Sequence, residues 1–271
     1  MNIQYSVLLS LYYKEKPEHL REALDSIFCQ TLVSDDVVLV EDGGVGNALE
    51  CVVREYEGRY PQLHVVRFGK NRGLGAALND GLKYCRHELV ARMDTDDIAK
   101  PQRMEKEVKF MSEHPDTAVV GSWIDEFLGD VSNVIAVRKL PQDNRQIYAF
   151  GKKRNPLNHP TVMFRKTAVL DVEGYLHFPL FEDYYLWTRM LVKGERFYNI
   201  QESLLFFRTS NDMYNRRGGW KYAMDELRFL VKMHEIGYTS WRQTVINICR
   251  RTPVRLVPNR IRNLIYKLIR K

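Results

Sequence analysis

Acidic residues gather at two places where a strand-like run stops. Glu41-Asp42 follows Val37-Val38-Leu39-Val40, and Asp94-Thr95-Asp96-Asp97 follows the run 88–93. Three carboxylates within four residues repel one another unless something positive sits among them. Hard oxygen donors in that pattern suit Mg²⁺ or Mn²⁺ shared with a substrate's phosphates. A solvated acidic turn ahead of a helix beginning at Pro101 accounts for the same residues without chemistry. Asp42 can accept from a base N–H or a ribose hydroxyl, and Gly43, Gly44 and Gly46 allow either close approach to a nucleotide or a sharp turn. Asn71-Arg72-Gly73-Leu74-Gly75 precedes a helix whose free amides can face a phosphate or simply begin the helix. Glu182-Asp183 opens another helical run, so Asp183 is either a base near the helix dipole or a helix cap.

Strands and helices must alternate to hold these groups. Tyr5–Leu11, 36–40, Leu63–Arg67 and 88–93 read as strands, separated by helical spacing over 18–30, 47–60 and 73–84. That alternation predicts an α/β fold with a mostly parallel, doubly wound sheet, and ligands in such sheets bind beyond the carboxyl ends of the strands. Further on, 101–113 and 181–193 read as helices, the latter closed by Gly194. Strands are expected at 118–128, 134–137, 161–165, 197–200 and 204–208. After Arg216-Arg217-Gly218-Gly219 the pattern is all-helical, which divides the chain into 1–215 and a helical extension, 216–271.

The chain has 271 residues, 45% of them hydrophobic, enough for a sizeable core and too much for a disordered or low-complexity protein. Its net charge of +7 is a property of the tail: no acidic residue follows Glu235, where nine Arg and Lys side chains stand. Subtracting those nine leaves residues 1–235 at −2. Ile261, Leu264, Ile265, Leu268 and Ile269 share one helical face among Arg and Lys, as in a helix lying on an anionic membrane leaflet. Packing of that stripe on the body is the plainer alternative. Nucleic acid is not expected as a partner, because the basic residues are not interleaved with aromatics and match no known module. Neither a signal peptide nor a run of ~20 apolar residues is visible. The scattered Cys29, Cys51, Cys85 and Cys249 read as buried free thiols in a reducing compartment.

The ordered set Ser6–Ser10, Ser26–Thr31, Val40-Glu41-Asp42-Gly43, Asn71-Arg72-Gly73 with Asn79, Met93–Asp97, Pro101-Gln102-Arg103 and Phe181-Glu182-Asp183-Tyr184 resembles family 2 glycosyltransferases over residues 3–215. Within that family it is most similar to bacterial enzymes that build O-antigen, capsule or exopolysaccharide repeat units, and Asp212–Lys221 shares in that likeness. The resemblance implies a GT-A fold, a UDP-sugar donor and inversion at the anomeric carbon. It implies donor contacts at Glu41, Asp42, Asn71, Gly73, Asn79 and Asp94, and a metal ligand, for Mg²⁺ or Mn²⁺, at Asp96. Asp183 matches the catalytic base, with Glu182 beside it. His159 and Arg208 are further candidates for substrate contact, although a structural histidine fits His159 better. Tyr184, Tyr185 and Trp187 fit a sugar platform or core packing, with Trp187 expected in the core. The second strand ends Glu-Asp-Gly-Gly where relatives commonly have Asp-Asp-Gly-Ser, and no His-plus-Ser pattern follows 204–208, where Arg208, Arg216 and Arg217 are the available cations. The Gln-x-x-Arg-Trp motif of processive synthases is missing, which favours addition of one sugar.

The expected activity is therefore transfer of one hexose or N-acetylhexosamine to a lipid-linked, polyprenyl-diphosphate saccharide. The expected location is the cytoplasmic face of the cell membrane, reached through the basic C-terminal helix. Two rivals are a sugar-phosphate nucleotidyltransferase and a non-catalytic, basic-tailed binding protein. The first requires a Gly-rich basic signature after the first strand, where Tyr12-Tyr13-Lys14-Glu15 stands instead. The second has no need of Asp96 and Asp183 together.

Overall fold

The computed structural model describes residues 3–210 and 218–258. Its first half follows the alternation of apolar runs: β1 (Tyr5–Leu11), α1 (Pro17–Phe28), β2 (Asp36–Glu41), α2 (Asn47–Arg59), β3 (Leu63–Arg67), α3 (Leu74–Tyr84) and β4 (Leu89–Asp94). These strands are parallel in the order β3-β2-β1-β4, with Leu9 opposite both Leu39 and Met93. Every residue of β2 is buried, as a central strand covered on both faces must be. Because β2, β1 and β4 run side by side in one direction, Glu41-Asp42 and the acidic run after β4 emerge at the same sheet edge.

The parallel part ends at β4. The chain continues through β5 (Ile98–Ala99), α4 (Arg103–Glu113), β6 (Thr117–Leu128), β7 (Val134–Arg138), α5 (Asn144–Gly151), β8 (Met163–Arg165), α6 (Lys166–Leu170), α7 (Glu182–Lys193) and β9 (Arg196–Thr209). β8 joins β4 and β6 antiparallel, β9 lies parallel to β6, and β5 pairs antiparallel with the far side of β9. The two short strands expected at 197–200 and 204–208 are one strand. The polar Gln201-Glu202-Ser203 between them is absorbed by register shifts against Ser122 and Trp123. The strand expected from Thr161 starts at Met163, because Pro160 sits in a 3₁₀ turn, His159–Thr161. Pro101 lies outside α4, and its carbonyl instead accepts Thr31 N at 2.8 Å. α5, α6 and β5 are too short to stand out in the sequence; α5 is marked only by its cap, where Asp143 accepts Gln146 N at 2.9 Å.

The two faces of β1 point into separate apolar layers, Leu8 into one and Val7 with Leu9 into the other, as strand alternation requires. The Leu8 layer receives Trp187 from α7 and extends into α8 (Trp220–Glu235), whose Phe229 stacks on Phe181 with ring centroids 4.8 Å apart. α9 (Trp241–Leu256) begins at a Ser240–Gln243 capping box and is tied to α8 by Arg251 and Arg255, which both bond the fully buried Glu226. No helix among the described residues is long and apolar enough to cross a membrane. The amphipathic stripe from Arg260, together with Arg216 and Arg217, lies outside the described residues. All four cysteines are free, but only Cys85 is buried; Cys29, Cys51 and Cys249 sit on exposed positions of helices or their ends, contrary to the expectation of buried thiols.

Candidate active site

β4 delivers Asp94, and the turn after it delivers Asp96 and Asp97, so that carboxylate oxygens of all three lie within 4.8 Å of one another. Each meets a different neighbour. Asp94 is gripped by Arg92, a guanidinium only 1% exposed, through Oδ2 at 2.7 Å and through a second, short bond to Oδ1. Asp97 is completely buried; its Oδ1 accepts Arg208 N at 2.9 Å and its Oδ2 has no partner. Asp96 receives no side-chain donor among the described residues. Burial, then the charges of Asp94 and Glu15, push its carboxyl up to about 7. Burial, then Asp96 and Asp94, hold Asp97 well above the ordinary range. Unmet negative charge on hard oxygen donors is the environment a divalent cation satisfies, so these residues fit Mg²⁺ or Mn²⁺.

Arg208 crosses under this turn. Its Nε donates to the Asp96 carbonyl at 2.9 Å, its Nη1 to Gly129 O at 3.2 Å, and its Nη2 pairs closely with Glu22. The guanidinium also lies 4.6 Å above the Phe127 ring. In this arrangement Arg208 braces the acidic turn from beneath.

On the β2 side, Asp42 accepts Arg72 N and Gly73 N, each at 2.8 Å, and its carbonyl accepts Asn71 Nδ2 at 3.1 Å. Asp42, Asn71 and Gly73 therefore form one unit at the start of α3. Gly43 makes that contact sterically feasible: its φ is +89°, and a Cβ there would lie 2.6 Å from Asn71 N. Glu41 is 4% exposed, with Arg67 Nε 3.5 Å from Oε2 and with Oε1 unpartnered. Burial pushes Glu41 up to about 7 against the pull of Arg67. Asn79 stands apart from this unit. Both ends of its amide are bonded to Tyr175, Nδ2 to the carbonyl and Oδ1 to the amide, at 2.7 Å each. That reciprocal pair fixes the turn before α7 and leaves the Asn79 side chain holding the fold.

Asp183 sits in the first turn of α7, where Asn155 Nδ2 donates to Oδ2 at 2.6 Å. Burial raises the Asp183 carboxyl above its ordinary range, opposed by Asn155, the Tyr184 amide and the more distant Arg92. Glu182 is half-buried against Gly75 of α3 and is likewise raised, chiefly by burial. His159 bonds Tyr175 OH at 2.9 Å, and burial with the nearby Arg92 keeps its imidazole well below the ordinary range, hence neutral. Tyr184, Tyr185 and Trp187 are all buried in the core, so packing, and not a sugar platform, explains their spacing.

Two residues that organise the site escape a reading of the sequence. Arg92 is the one cation inside an otherwise apolar strand, and its charge reaches Asp94, Asp183, His159 and Tyr175. Asn155 belongs to a loop with no periodic pattern. A lone Arg in a buried run is a signal in retrospect, since such a charge needs a partner; nothing comparable marks Asn155.

The sequence profile of Glycosyl transferase family 2 matches residues 6–172. The chain belongs to that family. Among family 2 relatives, an amylovoran biosynthesis glycosyltransferase, AmsE of Erwinia amylovora, is 39% identical over 98% of this chain and 99% of its own length. An Escherichia coli UDP-Gal:α-D-GlcNAc-diphosphoundecaprenol β-1,3-galactosyltransferase is 39% identical over 98% of this chain and 96% of its own. S. aureus TarS 1–349, solved with UDP-GlcNAc, superposes with a TM-score of 0.66 at 18% identity, covering 92% of this chain and 72% of that one. A Pyrobaculum calidifontis mannosyltransferase, solved with GDP-Man and Mn²⁺, gives 0.64 at 15% identity over 98% and 80%. The fold is thus GT-A, with its carboxylates at the sheet edge where β2, β1 and β4 end.

Proposed function

We propose that this family 2 enzyme moves a single hexose or N-acetylhexosamine from a UDP-sugar to a lipid-linked saccharide, with inversion, in the building of a bacterial surface polysaccharide. One observation carries the reading: Asp94, Asp96 and Asp97 concentrate unmet negative charge at the end of β4, with Asp96 left without a donor. A bound Mg²⁺ or Mn²⁺, held by Asp96 with support from Asp97 or Asp94, would supply Lewis acidity to the departing diphosphate. The rest falls to the protein. Asp42 fixes Asn71 and Gly73, and with Glu41 it frames the nucleoside side. Asp183 accepts the proton of the attacking acceptor hydroxyl, and Asn155 holds that carboxylate at a fixed angle. A base opposite the leaving group gives direct displacement, so an α-linked donor yields a β-linked product. Glu182, beside the base, orients the acceptor.

The acceptor class is supported by the E. coli relative, whose activity is on a diphosphoundecaprenol-linked GlcNAc and which matches this chain nearly end to end. Residues 1–215 form the donor-binding and catalytic domain in this reading, and 216–271 a helical extension that brings the enzyme to the cytoplasmic face of the membrane. The deciding assay offers each UDP-sugar with a short-chain polyprenyl-diphosphate GlcNAc, with and without Mn²⁺, and reads product anomericity by NMR. Metal-dependent formation of a β-linked disaccharide is expected. An α-linked product from an α-linked donor, or undiminished transfer in EDTA, overturns inversion or metal dependence respectively.

A further inference from the structure

Between α5 and α9 lies a cleft of about 490 Å³, remote in sequence from the acidic turn. It is lined by Tyr148 and Ile246 together with Arg145, Lys152, Lys153 and Arg250, and Lys152 Nζ lies 4.9 Å from the Tyr148 ring centroid. Among the described residues none of these four cations is ion-paired, and the segment 144–170 contains no acidic residue to supply a partner. The walls are fixed: Asn247 Nδ2 donates to Lys152 O at 2.8 Å and Arg251 Nη1 to Lys153 O at 3.1 Å. Both bonds pin the cationic segment against α9. Four cations around one cleft, with no counter-charge among the described residues, make the local potential positive, which favours an anion there.

The surface beside the cleft narrows the choice of anion. α9 turns Trp241, Val245 and Ile246 outward, 58%, 40% and 39% exposed, with Arg242 and Arg250 flanking them. An exposed Trp with aliphatic neighbours and arginines on one helix is the make-up of a surface resting at a lipid headgroup layer. A free phosphate would use the cations and leave the apolar face in water. We propose that the α5–α9 cleft binds the phosphate head group of an anionic membrane lipid, docking the outer face of α9 on the bilayer. This deepens the membrane location of the proposed function and assigns it to residues outside the basic tail.

The experiment is vesicle flotation of the full chain, without donor or acceptor, on phosphatidylcholine vesicles with and without phosphatidylglycerol. Wild type should float only with the anionic vesicles. A variant combining Arg145→Gln, Lys152→Gln, Lys153→Gln and Arg250→Gln should bind them on the order of 10²-fold more weakly, since each basic residue near such a surface contributes a several-fold gain. Melting temperature confirms that the variant is folded. If it is not, Trp241→Phe serves instead: quenching of tryptophan emission by brominated phosphatidylglycerol should largely vanish. Equal flotation of wild type and variant, loss only on charge removal in the tail (Arg260→Gln with Arg262→Gln), or quenching unchanged in Trp241→Phe overturns the proposal. So does equal competition by millimolar inorganic phosphate, which would make the cleft a free-anion site. Because no sugar transfer is read, failure of the proposed reaction does not touch this result. Transfer to a soluble acceptor that is intact in the quadruple variant separates the two.

Discussion

Asn155 Nδ2 lies 2.6 Å from Asp183 Oδ2, joining a loop after α5 to the first turn of α7. The bond stabilises the ionised carboxylate against the burial that raises its pKa. Asn155→Ala should therefore raise the Asp183 pKa further. The acid limb of the kcat/KM profile should move to higher pH, with turnover at neutral pH down about 10-fold. Asp183→Asn should cost at least ~10²-fold with donor affinity nearly intact, the scale of a lost general base. A pH profile unchanged in Asn155→Ala would remove Asn155 from the positioning role.

Asp96→Ala should abolish the part of UDP-sugar stabilisation that depends on Mn²⁺. In wild type, ligand at about 100-fold its Kd contributes ~2.7 kcal/mol, enough to shift a melting curve by several degrees. Thermal melts with nucleotide sugar in Mn²⁺ or EDTA read this directly. An Mn²⁺-dependent shift preserved in the variant would take the metal away from Asp96.

The Arg92–Asp94 pair is asymmetric, and its more exposed member should be the costlier one to remove. Asp94→Ala leaves a guanidinium with 1% exposure and no carboxylate on it, whereas Arg92→Met leaves Asp94 with 31% of its side chain in solvent. Urea denaturation should give about 3 kcal/mol of destabilisation for Asp94→Ala, and less for Arg92→Met. The opposite ranking would show that packing around Arg92, not its charge, dominates.

Glu41 predicts a pH dependence of stability. Its folded pKa of about 7 lies above the unfolded value of about 4.5. The folded state therefore holds a proton that the unfolded state has released. The associated stability is complete below pH 4.5 and is lost as pH rises through 7. Glu41→Gln should flatten the melting temperature between pH 5 and 8 and raise it at pH 8 by a few degrees. Unaltered pH dependence in the variant would mean that Arg67 holds Glu41 ionised throughout.

The parallel half of the sheet was legible because its strands are apolar runs punctuated by turns, and Val37–Val40 announces its own burial. The second half was less so. β9 contains Gln201-Glu202-Ser203 in mid-strand, a polarity that only a partner able to shift register tolerates. At the site, the acidic turn, Asp42 with Asn71 and Gly73, and the α7 start with Asp183 were visible as residue types at strand or helix ends. What each touches was not. Asn79 lies in α3, the helix that Gly73 begins, yet its amide serves Tyr175, a contact across 96 positions. Arg208 stands out in the sequence only as a candidate for substrate contact; that its bonds run to backbone carbonyls and Glu22 is something no periodicity reveals.

β9 has a temporal consequence. It is the last strand among the described residues, but it inserts between β6 and β5, and its Arg208 supplies the amide that Asp97 Oδ1 needs. A nascent chain released only as far as β8 already carries Asp94, Asp96 and Asp97, with Arg92 on Asp94 but without the Arg208 amide that bonds Asp97. The acidic turn thus cannot reach its final geometry until some 209 residues have left the ribosome. Fragments ending before Arg196 should expose the edges of β6 and β5 and depend on chaperones, however well the first four strands have formed.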